Sequence, residues 1–324
     1  MITASSFIFN FSQMKRLLIR VFLILFFFII LFIGLKSVLP FYWGNVQVTK
    51  KLKCLSDGQL KPNTLFIGNS KIYHHIIPSV FDSIVNDGTV SFNIASDAAP
   101  LVESYALIMG LIDATDVKRI IIPRCEYEGI YDKFINTTRA DYFWNYDLLN
   151  MVLDAFSSNT TELKRHYGLA LRSFGFFGKG KNLLSLMMPL PYQETLCDNR
   201  GFFGLNRGRR KYPDGFNEWH RKFKKGKNRH YKLSKPDTEN NATKVLFDDL
   251  IKYCEAHGVE LYTIYNPNNY SFYFSSYDKA IYMGDGGDFK DYYTKEYWYD
   301  DMHLNEDGAV IFTKRLAEIF SSIK

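Results

Sequence analysis

The sequence predicts a three-layer α/β/α fold with a mostly parallel sheet, and three observations support this prediction. Short apolar runs of strand length alternate with amphipathic stretches of helix length over most of residues 64–324, as in sheets of helix-separated parallel strands. A longer apolar run lies near the N-terminus, and the alternation stops between about residues 141 and 241. We therefore expect one flavodoxin-like α/β domain, an N-terminal transmembrane helix and an aromatic and basic insertion.

The composition agrees with one large folded domain. The chain has 324 residues, of which 47% are hydrophobic and 17% aromatic, and this excludes a disordered protein. The net charge of +6 favours anionic surfaces without requiring nucleic acid. Four cysteines lie far apart and lack metal-ligand spacing, so we expect isolated buried thiols, no metal and no cofactor. Spacing leaves a disulfide open for these four residues: Cys54, Cys125, Cys197 and Cys254.

The apolar run near the N-terminus predicts a membrane anchor. Residues 21–35 hold no charge, and residues 17–39 reach across a bilayer of about 30 Å if Arg20 and Lys36 extend to its two surfaces. We prefer an uncleaved anchor to a cleaved signal peptide, because no small-x-small cleavage site follows the run. Basic residues before the span place the leader, residues 1–16, in the cytoplasm.

The rest of the chain is then expected outside the cytoplasm, held at the inner or cytoplasmic membrane by a single span. Residues 40–63 are mostly polar and are expected to link the anchor to the domain of residues 64–324. Met14 is an equally good translation start, since basic residues follow it directly.

A buried strand is expected to deliver a serine at its carboxyl end. The apolar residues 65–67 are followed by Gly68, Asn69 and Ser70, and the next helix is predicted over residues 79–85. Open parallel sheets bind ligands at the carboxyl ends of their strands. Gly68 permits a sharp bend, and the backbone N–H groups of the next turn favour an oxyanion. Ser70 is therefore a candidate nucleophile, although Gly-Asn-Ser also occurs in ordinary turns.

A second polar block precedes the last predicted helix, over residues 309–323. It contains Asp300 and, three residues later, His303. An Asp at this spacing can orient an imidazole, which can then act as the base for a serine brought close by the fold. Asp301 is the rival to Asp300 for this role.

With these two blocks, the chain resembles the SGNH/GDSL hydrolase superfamily, in which the nucleophilic Ser follows the first strand and an Asp-x-x-His block precedes the last helix. In particular it is similar to the membrane-anchored branch that acylates or deacylates cell-envelope polymers. The resemblance implies that Ser70, His303 and Asp300 form a catalytic triad.

The same resemblance directs attention to the donors that would bind an oxyanion. After the second predicted strand, residues 89–95, the superfamily uses the backbone N–H of a Gly. This chain has no Gly there, so Ser96 or Ala98 is expected to supply the N–H. Asn69 and Asn93 are candidate side-chain donors.

The third predicted strand, residues 117–123, is followed by a departure from the superfamily. A Gly-x-Asn-Asp motif is usual there, and this chain has Arg124 and Cys125 instead. Either Arg124 takes over the electrostatic role of the missing Asn, or the oxyanion hole is weaker. The remaining predicted elements are helices over residues 101–112 and 244–257 and a strand over residues 259–265. His74 and His75 are expected to be structural or solvent-facing.

The resemblance implies a membrane-anchored esterase or O-acyltransferase that acts on acyl esters, in particular acetyl esters, of cell-envelope or exported glycans. Its expected partners are this glycan or polymer, the membrane and a membrane acyl-donor protein, and nucleic acid is not expected. Basic clusters between Arg207 and Arg229 either bind an anionic polymer or form a solvated face. The alternative function is a catalytically weak or inactive glycan-binding or assembly subunit with the same fold.

Overall fold

The computed structural model describes the following residues: 11–38, 45–57, 60–99, 101–123, 148, 150–151, 193–206, 241–265, 277–283, 295–300 and 303–324. Most of the predicted insertion, Arg124 and Asp301 lie outside the described residues. The chain divides into two units, Met1–Phe41 and Tyr42–Lys324.

In the first unit, helix α1 spans Phe11–Val38. The apolar side chains described on it are exposed, for example Phe22 at 65% and Phe27 at 62%. Counting only residues whose side chains are described, no helix is long and apolar enough to cross a membrane. The anchor expected over residues 17–39 stays a prediction.

The second unit contains a five-stranded sheet in which every pair of neighbouring strands is parallel. Its strands are β1 Thr64–Phe66, β2 Ser91–Asn93, β3 Arg119–Pro123, β4 Glu260–Tyr265 and β5 Ala280–Tyr282. The strand order is β2-β1-β3-β4-β5, which is the order of flavodoxin-like sheets. The predicted α/β class with a mostly parallel sheet is confirmed, and only β5 had no counterpart in the sequence analysis.

Helices precede, connect and follow these strands. They are α2 Val46–Asp57, α3 Ser70–His75, α4 Pro78–Val85, α5 Leu101–Ala114, α6 Gln193–Asp198, α7 Asn241–Ala256 and α8 Glu306–Ile323, with a 3₁₀ turn at Lys295–Tyr297. Helices α4, α5, α7 and α8 begin and end within a few residues of their predicted bounds. The six-residue helices α3 and α6 were not predicted, because one or two turns carry too little hydrophobic periodicity.

Successive strand residues point to opposite faces of the sheet, and each face has its own buried core. Leu65 and Ile120 belong to the core that α2, α5 and α7 cover. Their neighbours Phe66 and Ile121 belong to the core that α3, α4 and α8 cover. Helices therefore cover both faces of the sheet.

Helix α2 corrects the prediction that residues 40–63 are a linker. Val48 and Lys51 on this helix are 1% and 0% exposed, and Val48 joins the first core. Its mostly polar composition favours a linker, but the fold buries two of its lysines, Lys50 and Lys51. Residues 46–57 therefore belong to the α/β unit.

A disulfide fastens α2 to α6 and corrects the expectation of isolated thiols. It joins Cys54 to Cys197 across a sequence separation of 143 residues. In the chain-entropy description, a cross-link over a loop of this length stabilises the fold by about 5 kcal/mol. Cys254 is a free buried thiol, as expected, and Cys125 lies outside the described residues.

The segment of residues 193–206 belongs to the predicted insertion, yet it packs as part of the core. Leu196 is fully buried in the second core. The backbone N–H of Asn93, at the end of β2, donates to the carbonyl of Arg200 at 2.8 Å. This segment therefore lies against the carboxyl end of β2.

Candidate active site

Ser70 follows the carboxyl end of β1, beside the crevice between β1 and β3. This crevice is the point where the strand order of the sheet reverses, and α/β sheets bind ligands at such points. Gly68 has a φ of +148°, and a Cβ added there would lie 2.4 Å from Cδ of Pro123. The turn into α3 therefore needs a glycine, because any side chain would overlap the end of β3.

Asn69 caps the helix that Ser70 begins. Its side-chain oxygen accepts the N–H of Lys71 at 3.0 Å, and its backbone is extended with φ −90° and ψ −168°. This is the geometry of an N-cap residue. Its Nδ2 group donates to no described residue, so the prediction that Asn69 is an oxyanion donor stays open.

Ser70, His303 and Asp300 lie in a chain of hydrogen bonds. Nε2 of His303 lies 2.8 Å from Oγ of Ser70. Nδ1 of His303 lies 3.0 Å from both carboxylate oxygens of Asp300, whose Oδ1 also accepts the His303 backbone N–H at 2.8 Å. The side chains of His303 and Asp300 are 20% and 10% exposed. A nucleophile, a base and a group that orients the base have this arrangement.

The turn that carries Asp300 and His303 is built against the start of α8. Trp298 and Leu304 close it with an antiparallel bridge, and Asn305 caps α8 by accepting the Gly308 N–H at 3.0 Å. A Cβ at Gly308 would lie 2.3 Å from the carbonyl oxygen of Tyr297. Gly308 therefore allows the close approach between the helix and the turn.

His75 connects this turn to the helix of the nucleophile. Its Nε2 accepts the backbone N–H of Leu304 at 3.0 Å, so that nitrogen carries no proton. Burial lowers the pKa of His75 well below its ordinary value, and the neighbouring His303, His74 and Lys71 lower it further. His75 is 3% exposed and His74 is 6% exposed. Both histidines are buried, so the solvent-facing alternative is wrong.

Asn93 is not available as an oxyanion donor. It is fully buried, and its Nδ2 group donates to the carbonyls of Ile72 and Ile76 at 2.8 and 3.0 Å. An amide group has two N–H donors, and both are used here. Asn93 instead satisfies carbonyl groups near the end of α3.

The turn after β2 also differs from expectation. The backbone N–H of Ser96 donates to the carbonyl of Gly68 at 3.0 Å, so the expected oxyanion donor at Ser96 is already engaged. Ala98 is exposed and has a φ of +50°, a conformation that glycine adopts without strain. Its N–H donates to no described residue, so Ala98 stays a candidate. The role of Arg124 stays a prediction.

The sequence did not predict a buried polar cluster in which Asn45, just before α2, and Lys51, on α2, contact the turn after β2. The Nδ2 group of Asn45 donates to Oγ of Ser96 and to Oε1 of Glu103 at 2.8 Å each. Nζ of Lys51 donates to the carbonyl of Ala95, and burial lowers the pKa of Lys51 well below its ordinary value. No local signal marks these residues, because a lysine in a lysine-rich helix normally faces water.

Two comparisons with known proteins find no relative. A scan against protein-family models and a search of curated proteins both find no match. The described residues contain no cluster of three or more side chains that could hold a metal ion, and the expectation of a cofactor-free site stays a prediction. The assignment to the SGNH/GDSL superfamily is therefore a proposal that rests on the residues of this chain.

We expect the buried His75 to make the free energy of unfolding depend on pH. Because its folded pKa lies below the unfolded value of about 6.5, the unfolded state binds more protons as the pH falls. The contribution of His75 to the free energy of unfolding is fully present above about pH 6.5 and is lost as the pH falls towards the folded pKa. We expect His75→Gln, which can still accept the Leu304 N–H but does not titrate, to lose less stability between about pH 7 and about pH 5 in urea unfolding.

The control for this prediction is His257→Gln, which removes an exposed histidine. We expect the control to follow the parent protein. An equal loss of stability in the parent and in both variants contradicts the assignment of this pH dependence to His75.

Proposed function

We propose that this chain is an SGNH-type serine esterase or O-acyltransferase. The observation that carries the proposal is the contact between Ser70 and His303, with Asp300 behind the imidazole. These side chains come from segments 233 residues apart and meet at the ligand-binding edge of a parallel sheet.

In the proposed mechanism, Nε2 of His303 takes the proton of Ser70 as Oγ attacks the ester carbonyl. Asp300 accepts the Nδ1–H bond, which keeps Nε2 free to act as the base. The carbonyl oxygen becomes an oxyanion, for which the Ser70 and Ala98 N–H groups and the Asn69 amide are the candidate donors. His303 then protonates the leaving alcohol, and acyl-Ser70 remains.

Either water or a sugar hydroxyl resolves the acyl-enzyme, which makes the protein an esterase or an O-acyltransferase. We propose acyl esters of a cell-envelope or exported glycan as substrates, with acetyl as the acyl group. A transferase would also need a membrane protein that supplies the acyl donor. This choice of substrate and partner rests on analogy with the superfamily.

We further propose that residues 17–39 anchor the chain in the cytoplasmic membrane, with the α/β unit outside the cytoplasm. The apolar side chains described on α1 are exposed, and lipid is a solvent that suits such a surface. The disulfide between Cys54 and Cys197 supports an oxidising compartment.

Serine-reactive fluorophosphonate tests the function. The parent protein is expected to be labelled, and Ser70→Ala is expected to abolish the label. His303→Gln removes the base and is expected to slow labelling by about 10³-fold. Ser83→Ala changes an exposed serine on α4 and serves as the matched control, which should label like the parent. Mass spectrometry reads out the labelled peptide.

A folded parent protein that takes no label contradicts the enzyme proposal. That result favours the alternative function, a glycan-binding or assembly subunit that keeps the fold.

Membrane fractionation, combined with protease added outside the cells, tests the proposed anchor and the side of the membrane on which the α/β unit lies. The full-length chain is expected to resist alkaline extraction from membranes, and protease added to spheroplasts is expected to digest the α/β unit. Non-reducing electrophoresis is expected to show a disulfide that Cys54→Ser removes. Reduced Cys54 in a domain protected from the outside protease contradicts the proposed topology.

A further inference from the structure

His74 lies beside the candidate triad without belonging to it. It is four residues after Ser70 on α3, so both residues lie on the same helix face. The centroid of its ring is 5.6 Å from that of His303, and its side chain is 7% exposed. Because a buried polar ring is costly without hydrogen bonds, its partners indicate what it does.

Both ring nitrogens of His74 face oxygen acceptors. Nδ1 lies 2.7 Å from the carbonyl oxygen of Phe203, and Nε2 lies 2.9 Å from Oδ1 of Asp97. A neutral imidazole has one N–H and satisfies only one of these acceptors, whereas an imidazolium donates to both. His74 thus joins α3 to two separate segments, the turn after β2 and the segment after α6.

Asp97 is held from its other side by α2. Nε2 of Gln47 donates to Oδ2 of Asp97 at 2.8 Å, and the backbone N–H of Asp97 donates to Oε1 of Gln47 at 2.9 Å. Burial raises the pKa of the Asp97 carboxyl, but hydrogen bonds from His74 and Gln47 outweigh burial and lower the pKa to about 2. Asp97 therefore accepts these bonds as a carboxylate.

The hydrogen bonds of Asp97 with His74 and Gln47 hold the two residues beside it, Ser96 and Ala98, in place. Ser96 precedes it, with its backbone N–H already bonded to Gly68. Ala98 follows it, and its backbone N–H is a candidate oxyanion donor. The bonds to Asp97 therefore set where this N–H lies relative to the nucleophile on α3.

We propose that His74 is a positioning residue that clamps the turn of residues 96–98 against the helix that carries Ser70. The clamp consists of His74, Asp97 and Gln47. The proposal rests on the proposed esterase or acyltransferase function and extends it, because it names the contacts that hold the oxyanion donor in place. His74 touches no reacting atom in this role and acts through Asp97.

The clamp makes a kinetic prediction for the full-length protein with p-nitrophenyl acetate as the probe. His74→Gln keeps one of the two hydrogen bonds, and we expect kcat to fall about 10-fold while KM changes by less than about twofold. Asp97→Asn keeps an acceptor oxygen but not the charge, and should have a similar effect. The double variant should be no slower than the slower single variant, because both residues act through one contact.

A second readout does not depend on activity. Hydrogen–deuterium exchange of peptides that cover residues 94–99 reports whether the turn is held, and residues 101–111 of α5 provide the internal reference. We expect faster exchange of the turn in His74→Gln, with α5 unchanged. His257→Gln is the control and should match the parent in both measurements. If His74→Gln does not fold, Gln47→Ala releases the clamp from its half-buried side and should give the same increase.

The two proposals fail in different ways. Unchanged exchange of residues 94–99 in the folded clamp variants overturns the clamp. Exchange that rises while kcat stays within about twofold of the parent overturns its positioning role. If the folded parent takes no fluorophosphonate and hydrolyses no ester, the enzyme proposal fails, and exchange alone decides whether the turn is clamped.

Discussion

The hydrogen bond between Ser70 Oγ and His303 Nε2 is the contact on which the account of this protein depends. It forms only if two distant turns are both built correctly. On one side, Gly68 lets the chain pass the end of β3 where any Cβ would overlap Pro123. On the other side, Gly308 lets α8 approach the turn that carries the imidazole. Hydrogen bonds to His75 from α8 and from the turn before it join the two sides.

Helix α3 holds these parts together, although six residues are too few for a helix to be stable alone. Its position comes from contacts with its neighbours, which include the buried amide of Asn93. Its two adjacent histidines have opposite hydrogen-bonding roles. His75 accepts a backbone N–H from the turn of the candidate base, whereas His74 faces two oxygen acceptors. One short helix thus carries Ser70 and contacts both the turn of His303 and the turn of Asp97.

Features that depend on local pattern could be predicted from the sequence, and features that depend on long-range contact could not. The first four strands and helices α4, α5, α7 and α8 follow from hydrophobic periodicity, and the contact of Ser70 with His303 and Asp300 agrees with the Ser and Asp-x-x-His blocks. The role of Asn93 could not be predicted, because a buried amide that caps a helix looks the same in sequence as one that faces a substrate. Helix α2 and the Cys54–Cys197 disulfide could not be predicted either, since partners far away in the chain decide both.

The most direct test of the central claim is mass spectrometry of the full-length protein, quenched with acid during turnover of an activated acetyl ester. The account predicts an acetyl group on the peptide that contains Ser70, formed during turnover and absent in Ser70→Ala. Two results would contradict this prediction. In the first, the ester is consumed but the acetyl group is found on a different residue. In the second, the ester is consumed but no acetylated peptide forms in the parent or in a slowed His303 variant.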